Sequence, residues 1–249
     1  MRILGLSFGF HDAGACMLNG KEIEFAGHSE RYSKEKNDPW INNELINAAI
    51  EGGKPDVVVL HEKAWVKKFR NLYAGNWRAL REPTQKQWIK KFYPQLEGIP
   101  IKDYWHHETH AGAGVLSSNF DECAVMVIDA IGEFDTASIW HWSEGQLKKK
   151  HSIKFPSSLG LFYSAVTHHV GLKPMEDEYI LMGMAAYGKA ENWKPLSRKM
   201  GKKFFKFKHP WISHRQSIIM KENLQKGLPK NSFVGVDEFD MAAAAQDQV

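Results

Sequence analysis

The feature that most constrains this chain is an arrangement that occurs twice. Arg2 to Ser7 is a short apolar strand, Gly14 to Leu18 is another, and the turn between them holds Gly9-Phe10-His11-Asp12. Asn19-Gly20, a type I′ turn signal, then leads into Glu22–Ala26, so that three consecutive antiparallel strands are expected. Far along the chain the order returns. Cys123–Asp129 is an apolar run expected to be a buried strand closing on a carboxylate, Ala130-Ile131-Gly132-Glu133-Phe134-Asp135 is an acidic turn, and Thr136–Trp142 and Gln146–Phe155 are strands joined at Glu144-Gly145. Each triplet is followed by a helical pattern, over Trp40–Ile50 in one case and Ser157–Val170 in the other. A duplicated unit of three-stranded hairpin plus helix is the simplest reading, although few residues are identical between the copies.

Between the copies, Pro55–Leu60 reads as a buried parallel strand and Ile101–Trp105 as a short strand delivering a helix. That helix opens with His106-His107-Glu108-Thr109-His110. His106 and His110 stand four residues apart on one helical face, where two imidazoles can converge on one ion. His107 points about 100° away and is the weaker candidate. Ala111 to Gly114 are small enough to let another backbone or a ligand approach closely. The spacing alone also suits histidines that merely cap or pack.

The intervening stretch from Lys63 to Lys91 alternates basic and aromatic residues, among them Trp65, Lys67, Lys68, Phe69, Trp77 and Trp88. Single-strand nucleic-acid binders use such an interleave. Amphipathic helices with buried aromatics and solvated lysines fit the same spacing and are the preferred expectation. With 33 basic against 29 acidic side chains the net charge is +4, so no nucleic-acid partner is implied. His28 to Asp38 is dense in charge and presents Arg31 and Lys36 to solvent or to an anion.

Near the end, Glu176 to Gly188 is rich in small residues and suits close packing or a loop around a ligand. Lys202 to Lys208 reads as a lysine-guarded edge strand. Asp240 is the expected N-cap of a helix opening with Met241-Ala242-Ala243, which has barely begun when the sequence stops at Val249 without a C-cap. The two cysteines, Cys16 and Cys123, sit in apolar runs and read as buried thiols in a reducing cytoplasm. No apolar run approaches the roughly 20 residues of a membrane span, and no signal peptide is expected.

Six ordered blocks resemble the N-terminal part of the O-carbamoyltransferase family, enzymes that carbamoylate nodulation factors and antibiotics. They are Ile3–Leu6 through His11-Asp12-Ala13, Ser29–Ser33 with Lys36, His106-His107 with His110-Ala111, Asp129 with Gly132-Glu133, Ser158–Ser164, and Met182–Gly188. The resemblance implies an α/β fold of the actin-like ATPase (ribonuclease H-like) class, a lobe built from duplicated hairpin-plus-helix units with a mixed sheet. It implies that carbamoyl-adenylate, made from carbamoyl phosphate and ATP in a YrdC-like domain, donates its carbamoyl group to a hydroxyl of a small-molecule or sugar acceptor.

The same resemblance places a ferrous iron (Fe2+) on His106, His110 and Asp129, and makes His11, Asp12 and Asp129 catalytic. It puts Arg31, Lys36, Gly132, Glu133, Ser158 and Gly160 on the nucleotide side, with the Gly132 turn as a source of amides for an oxyanion or phosphate. The family's second lobe and YrdC-like domain lie beyond its N-terminal part, so the expectation for residues 1–249 is a transferase portion needing a second polypeptide. The alternative is a catalytically silent, truncated binding module of the same fold.

Overall fold

The structure, a computed structural model, describes residues 1–207, 218–221 and 223–249. Its contacts divide the chain into two units, Met1–Thr109 and His110–Val249, with the division falling inside one helix.

The first unit is built on a mixed five-stranded sheet in the order β3-β2-β1-β4-β5. Strands β1 (Arg2–Ser7), β2 (Gly14–Asn19) and β3 (Glu22–His28) form the antiparallel meander expected from the sequence, and β4 (Val57–Leu60) and β5 (Ile101–Asp103) extend it in parallel from β1. The β2–β3 loop is Gly20-Lys21 rather than Asn19-Gly20, since Asn19 pairs with Glu22; Gly20 alone of the loop pair takes a left-handed φ, +61°. A glycine at the first loop position belongs to the type II′ geometry.

Leu4, Leu6, Met17, Val58 and Leu60 project from the sheet into one core with Leu45 and Ile46 of α2 (Asn43–Ala49). Each such side chain, wholly or almost wholly removed from water, contributes about 1.5–3 kcal/mol. Asn42, not Trp40, starts that helix, its side chain accepting the Leu45 amide. A four-residue helix, α1 (Glu30–Ser33), precedes it.

Between β4 and β5 run α3 (Ala64–Tyr73), a 3-10 turn (Trp77–Leu80) and α4 (Gln85–Phe92), the last opened by a Thr84–Gln87 capping box. Helices were expected here, but α3 turns the opposite way from the expected burial of its aromatics. Trp65 and Phe69 are 58% and 63% exposed, whereas Lys68 is only 8% exposed. The Lys68 ammonium is held by the carbonyls of Leu80 and Glu82, which satisfies a cation that would otherwise be costly to bury.

The second unit begins within α5 (His106–Leu116) and contains the antiparallel sheet β6 (Cys123–Ile128), β7 (Asp135–Ser143) and β8 (Gln146–Lys154), in the order β6-β7-β8. The duplicated triplet is therefore present, with Glu144 and Gly145 both at positive φ in its turn. β6 departs from expectation: it is an edge strand, and Met126 and Ile128 are exposed rather than buried.

A helical core follows, made by α6 (Leu159–His169), α7 (Glu178–Ala185), α8 (Ala190–Phe204) and α9 (Glu238–Gln246), with Phe162, Leu181, Met200 and Met241 at its centre. The small-residue stretch before Gly188 is helix, and Gly188 serves close packing: a Cβ there would lie 2.5 Å from that of Ala243. Asp237, not Asp240, caps α9; Asp240 is buried and accepts from the Lys189 amide and Asn192. Asp247 closes α9 through its amide to Ala243, so the helix is completed and not merely begun.

Of the expected edge strand, Lys202 and Lys203 belong to α8, and β9 (Phe205–Phe207) pairs with β10 (Ile218–Met220); Lys208 lies outside the described residues. Cys16 and Cys123 are partly buried free thiols, and burial pushes the Cys16 thiol up. Among the described residues no helix is long and apolar enough to cross a membrane.

Candidate metal centre

Helix α5 carries both histidines on one face, as their spacing requires, and packs through small residues. Ala111 is fully buried against Val127 and Trp140, and a Cβ on Gly114 would be 3.9 Å from Val125, so β6 lies close beside the helix. Asp129 follows directly on the last residue of that strand. Its own amide donates to the Thr136 carbonyl at 2.9 Å, which ties the corner to the start of β7. The outcome is that one ligand atom from each of His106, His110 and Asp129 lies within 4.8 Å of the others.

Two imidazoles and a carboxylate are the donor set of a divalent first-row metal, and the 2-His-1-carboxylate combination suits ferrous iron. Donors about 2.1 Å from a common ion are roughly 3–4 Å apart, so the arrangement fits such an ion with a small contraction. His107, the weaker candidate, is buried and takes no part in the trio.

The Asp129 corner is clamped from below by the start of α6. Asp129 Oδ1 accepts the Ala130 amide at 2.6 Å, and Ser158 Oγ donates to the Ala130 carbonyl at 2.7 Å while also capping α6 at the Leu161 amide. A Cβ on Gly160 would lie 2.6 Å from the Ala130 Cα, so only glycine permits this approach. Ser158 and Gly160 thus hold the carboxylate's backbone. The Gly132 amide donates to the Asp135 carbonyl at 2.8 Å and serves the turn itself, and Glu133 is buried within the same turn. Asp135 next to it is held by Lys149 at 2.8 Å and Lys154 at 3.3 Å. Burial alone would raise its carboxyl, but the two ammonium groups outweigh burial and hold it below the usual range.

The remaining expected residues belong to the first unit. His11 and Asp12 form a pair, Nδ1 to Oδ2 at 2.7 Å, both partly exposed, with Asp12 at a φ of +49°. Arg31 is exposed and pairs loosely with Glu30 at 3.4 Å, and Lys36 is exposed.

One residue escaped the sequence reading. His61, at the carboxyl end of β4, lies edge-on to His106 with ring centroids 5.4 Å apart, and burial pushes its imidazole down to about 4. It is therefore neutral at physiological pH. The available signal was its position: side chains just beyond the carboxyl ends of parallel strands are where α/β sheets bind ligands.

The fold is α/β, and the trio gathers three donor atoms that could hold one metal ion. A family description, carbamoyltransferase N-terminus, matches residues 2–220. The chain belongs to that family. It is 34% identical over 212 residues to an uncharacterized protein of Synechocystis, covering 75% of this chain and 34% of the relative. It is 34% identical over 91 residues to the nodulation protein NolO of Bradyrhizobium diazoefficiens, covering 36% of this chain and 16% of that protein. With the nodulation protein NolNO of Sinorhizobium fredii it shares 32% identity over 99 residues, covering 40% and 14%. The chain spans about a third of the length of the first curated relatives it matches.

Proposed function

We propose that this chain is the transfer portion of an O-carbamoyltransferase, moving a carbamoyl group from carbamoyl-adenylate to a hydroxyl of a small-molecule or sugar acceptor. The observation that carries the reading is the convergence of His106, His110 and Asp129, a donor set for one divalent cation, in a chain of this family. Ferrous iron bound there would supply Lewis-acid polarisation of the carbamoyl carbonyl.

The chain's own residues do the rest. His106 and His110 bind through neutral imidazoles presented from one helical face, and Asp129 adds a carboxylate fixed by the Ala130 amide. Asp12 orients His11 through Nδ1, which leaves Nε2 as the atom that takes the proton of the acceptor hydroxyl. As that oxygen bonds to the carbamoyl carbon, the bond to the adenylate phosphate oxygen breaks and AMP leaves. Arg31 and Lys36, both exposed, meet the phosphate charge of the adenylate. Gly132, Glu133, Ser158 and Gly160 act on the nucleotide side by shaping and clamping the Asp129 turn.

The duplicated hairpin units support an actin-like ATPase lobe. The chain spans about a third of the relatives' length, and the other lobe and the YrdC-like domain, where carbamoyl phosphate and ATP become the adenylate, are assigned to polypeptide outside residues 1–249, in this chain or a second one. Two thiols without a disulfide suit a cytoplasmic setting. The test is transfer of labelled carbamoyl phosphate to an acceptor with ATP, Fe2+ and that further polypeptide. His110→Ala should abolish the product, and product formation that is indifferent to His110 and Asp129 contradicts the reading.

A further inference from the structure

A surface helix ordinarily buries its apolar stripe and gives its charges to water; α3 does the reverse. Its inward side carries Lys67, paired with Glu62 at 2.9 Å, and the buried Lys68, whereas Trp65, Phe69 and Tyr73, at every fourth position, are all exposed. Trp77 and Leu80 of the 3-10 turn and Phe92 of α4 are exposed too, Trp77 to 72%. The three elements meet around one open depression, lined in part by Trp65, Leu80, Arg81, Trp88, Lys91 and Phe92. Large apolar side chains gathered at a surface and rimmed by polar ones mark an interaction site.

Charge narrows the partner. Residues 63–91 carry nine basic side chains and one acidic one, a local balance of +8 where the whole chain has +4. Lys63 and Lys86 are met by Asp103 and Lys67 by Glu62, but Arg78, Arg81, Lys90 and Lys91 are exposed and form no ion pair among the described residues. The partner is therefore anionic and apolar at once, which describes single-stranded nucleic acid and an anionic bilayer surface. The rings decide between them, because base stacking needs free ring faces. The Lys68 ammonium lies 5.0 Å from the centre of the Trp65 ring, the Lys91 ammonium 5.0 Å from that of Phe92, and Trp40 and Trp88 are stacked on each other at 4.2 Å. Rings occupied in this way still offer apolar edges to acyl chains. An aromatic helix face flanked by arginine and lysine is the composition of a helix lying in the plane of a membrane interface, and such docking needs no spanning segment.

We infer that the face formed by α3, the 3-10 turn and the end of α4 docks on the surface of an anionic lipid bilayer. Trp65, Phe69, Tyr73 and Trp77 enter the headgroup region, and Arg78, Arg81, Lys90 and Lys91 meet the lipid phosphates. Nothing in this inference depends on the carbamoyl transfer proposed above.

Co-sedimentation of the 249-residue chain with vesicles tests this directly. Vesicles of two parts phosphatidylcholine to one part phosphatidylglycerol should bind it at least about tenfold more tightly than vesicles of phosphatidylcholine alone, since each basic residue at an anionic surface adds to the affinity. Raising the salt should weaken that preference. The double variant Phe69→Ser with Trp77→Ser, at two exposed rings, should bind the anionic vesicles about tenfold less well. Equal binding to the two kinds of vesicle, no binding to either, or undiminished binding by the double variant overturns the inference. Retention of the chain by poly-uridylate but not by vesicles overturns it in favour of nucleic acid. Should the double variant fail to fold, Arg81→Gln with Lys91→Gln decides: loss of the preference for anionic vesicles is expected, and an unchanged preference overturns the inference. Carbamoyl chemistry is not read in this experiment, so a negative result leaves the proposed function standing.

Discussion

Gly160 approaches the corner after β6 so closely that a Cβ on it would lie 2.6 Å from the Ala130 Cα and 2.7 Å from the Ala130 nitrogen. Backbone cannot yield as a flexible side chain would, so Gly160→Ala must displace the Asp129–Ala130 peptide or the start of α6. An overpacking cost of about 1–3 kcal/mol is expected. Calorimetry should show a melting temperature lower by about 2–12 °C. Because the displaced atoms carry Asp129, divalent-metal affinity should fall by about 10–100-fold as well. An unchanged affinity would show that the corner does not position the carboxylate.

Ser158 gives a milder perturbation of the same clamp. Ser158→Ala removes both the α6 cap and the hydrogen bond to the Ala130 carbonyl, and about 1–2 kcal/mol of stability should be lost in urea unfolding.

Asp135 makes a pH dependence predictable. Its folded carboxyl is held below the ordinary value near 3.9 by Lys149 and Lys154 against the opposing effect of burial. The stabilisation is thus complete above about pH 5 and is lost as pH falls through the lowered folded value. Urea midpoints measured from pH 7 to pH 3 should decline in the acid range, and Lys149→Met should flatten that decline. An unaltered slope would show that this pair does not hold the carboxyl down.

Lys68 and Phe69, neighbours on α3, should respond in opposite senses to what hydrophobicity alone predicts. Phe69→Ser changes a residue 63% exposed and should alter stability by less than about 0.5 kcal/mol. Lys68→Ala removes a buried side chain together with the donor to the Leu80 and Glu82 carbonyls and should cost about 1–3 kcal/mol. Chemical denaturation of the two variants measures both.

The contrast on α3 shows where the sequence was legible and where it was not. Strands β1 to β3 and β6 to β8 could be read because alternation and turn residues are local signals: Gly20, Glu144 and Gly145 reveal their turns through backbone freedom. The His106–His110 face could be read for the same reason. Helix α3 was recognised as a helix, but its orientation was not, since the two carbonyls that accept from Lys68 lie 12 and 14 residues away. The α9 cap was misplaced from Asp237 to Asp240 because either carboxylate suits a first turn, and only the bonds that the buried Asp240 accepts from the Lys189 amide and Asn192 decide between them. His61 was missed because it belongs to no spacing motif and acquires its setting from His106, a residue distant in the chain.

The central claim, that two imidazoles of α5 and the carboxylate after β6 hold one divalent cation, is tested most directly by anaerobic Fe2+ titration of the wild-type chain beside His110→Ala. A melting curve of the metal-free variant checks that it folds. The account predicts one Fe2+ per wild-type chain and an affinity reduced by more than about 100-fold in the variant, beyond what loss of a supporting contact causes. A wild-type chain that takes up no Fe2+, or a variant that binds it as tightly as the wild type, would contradict it.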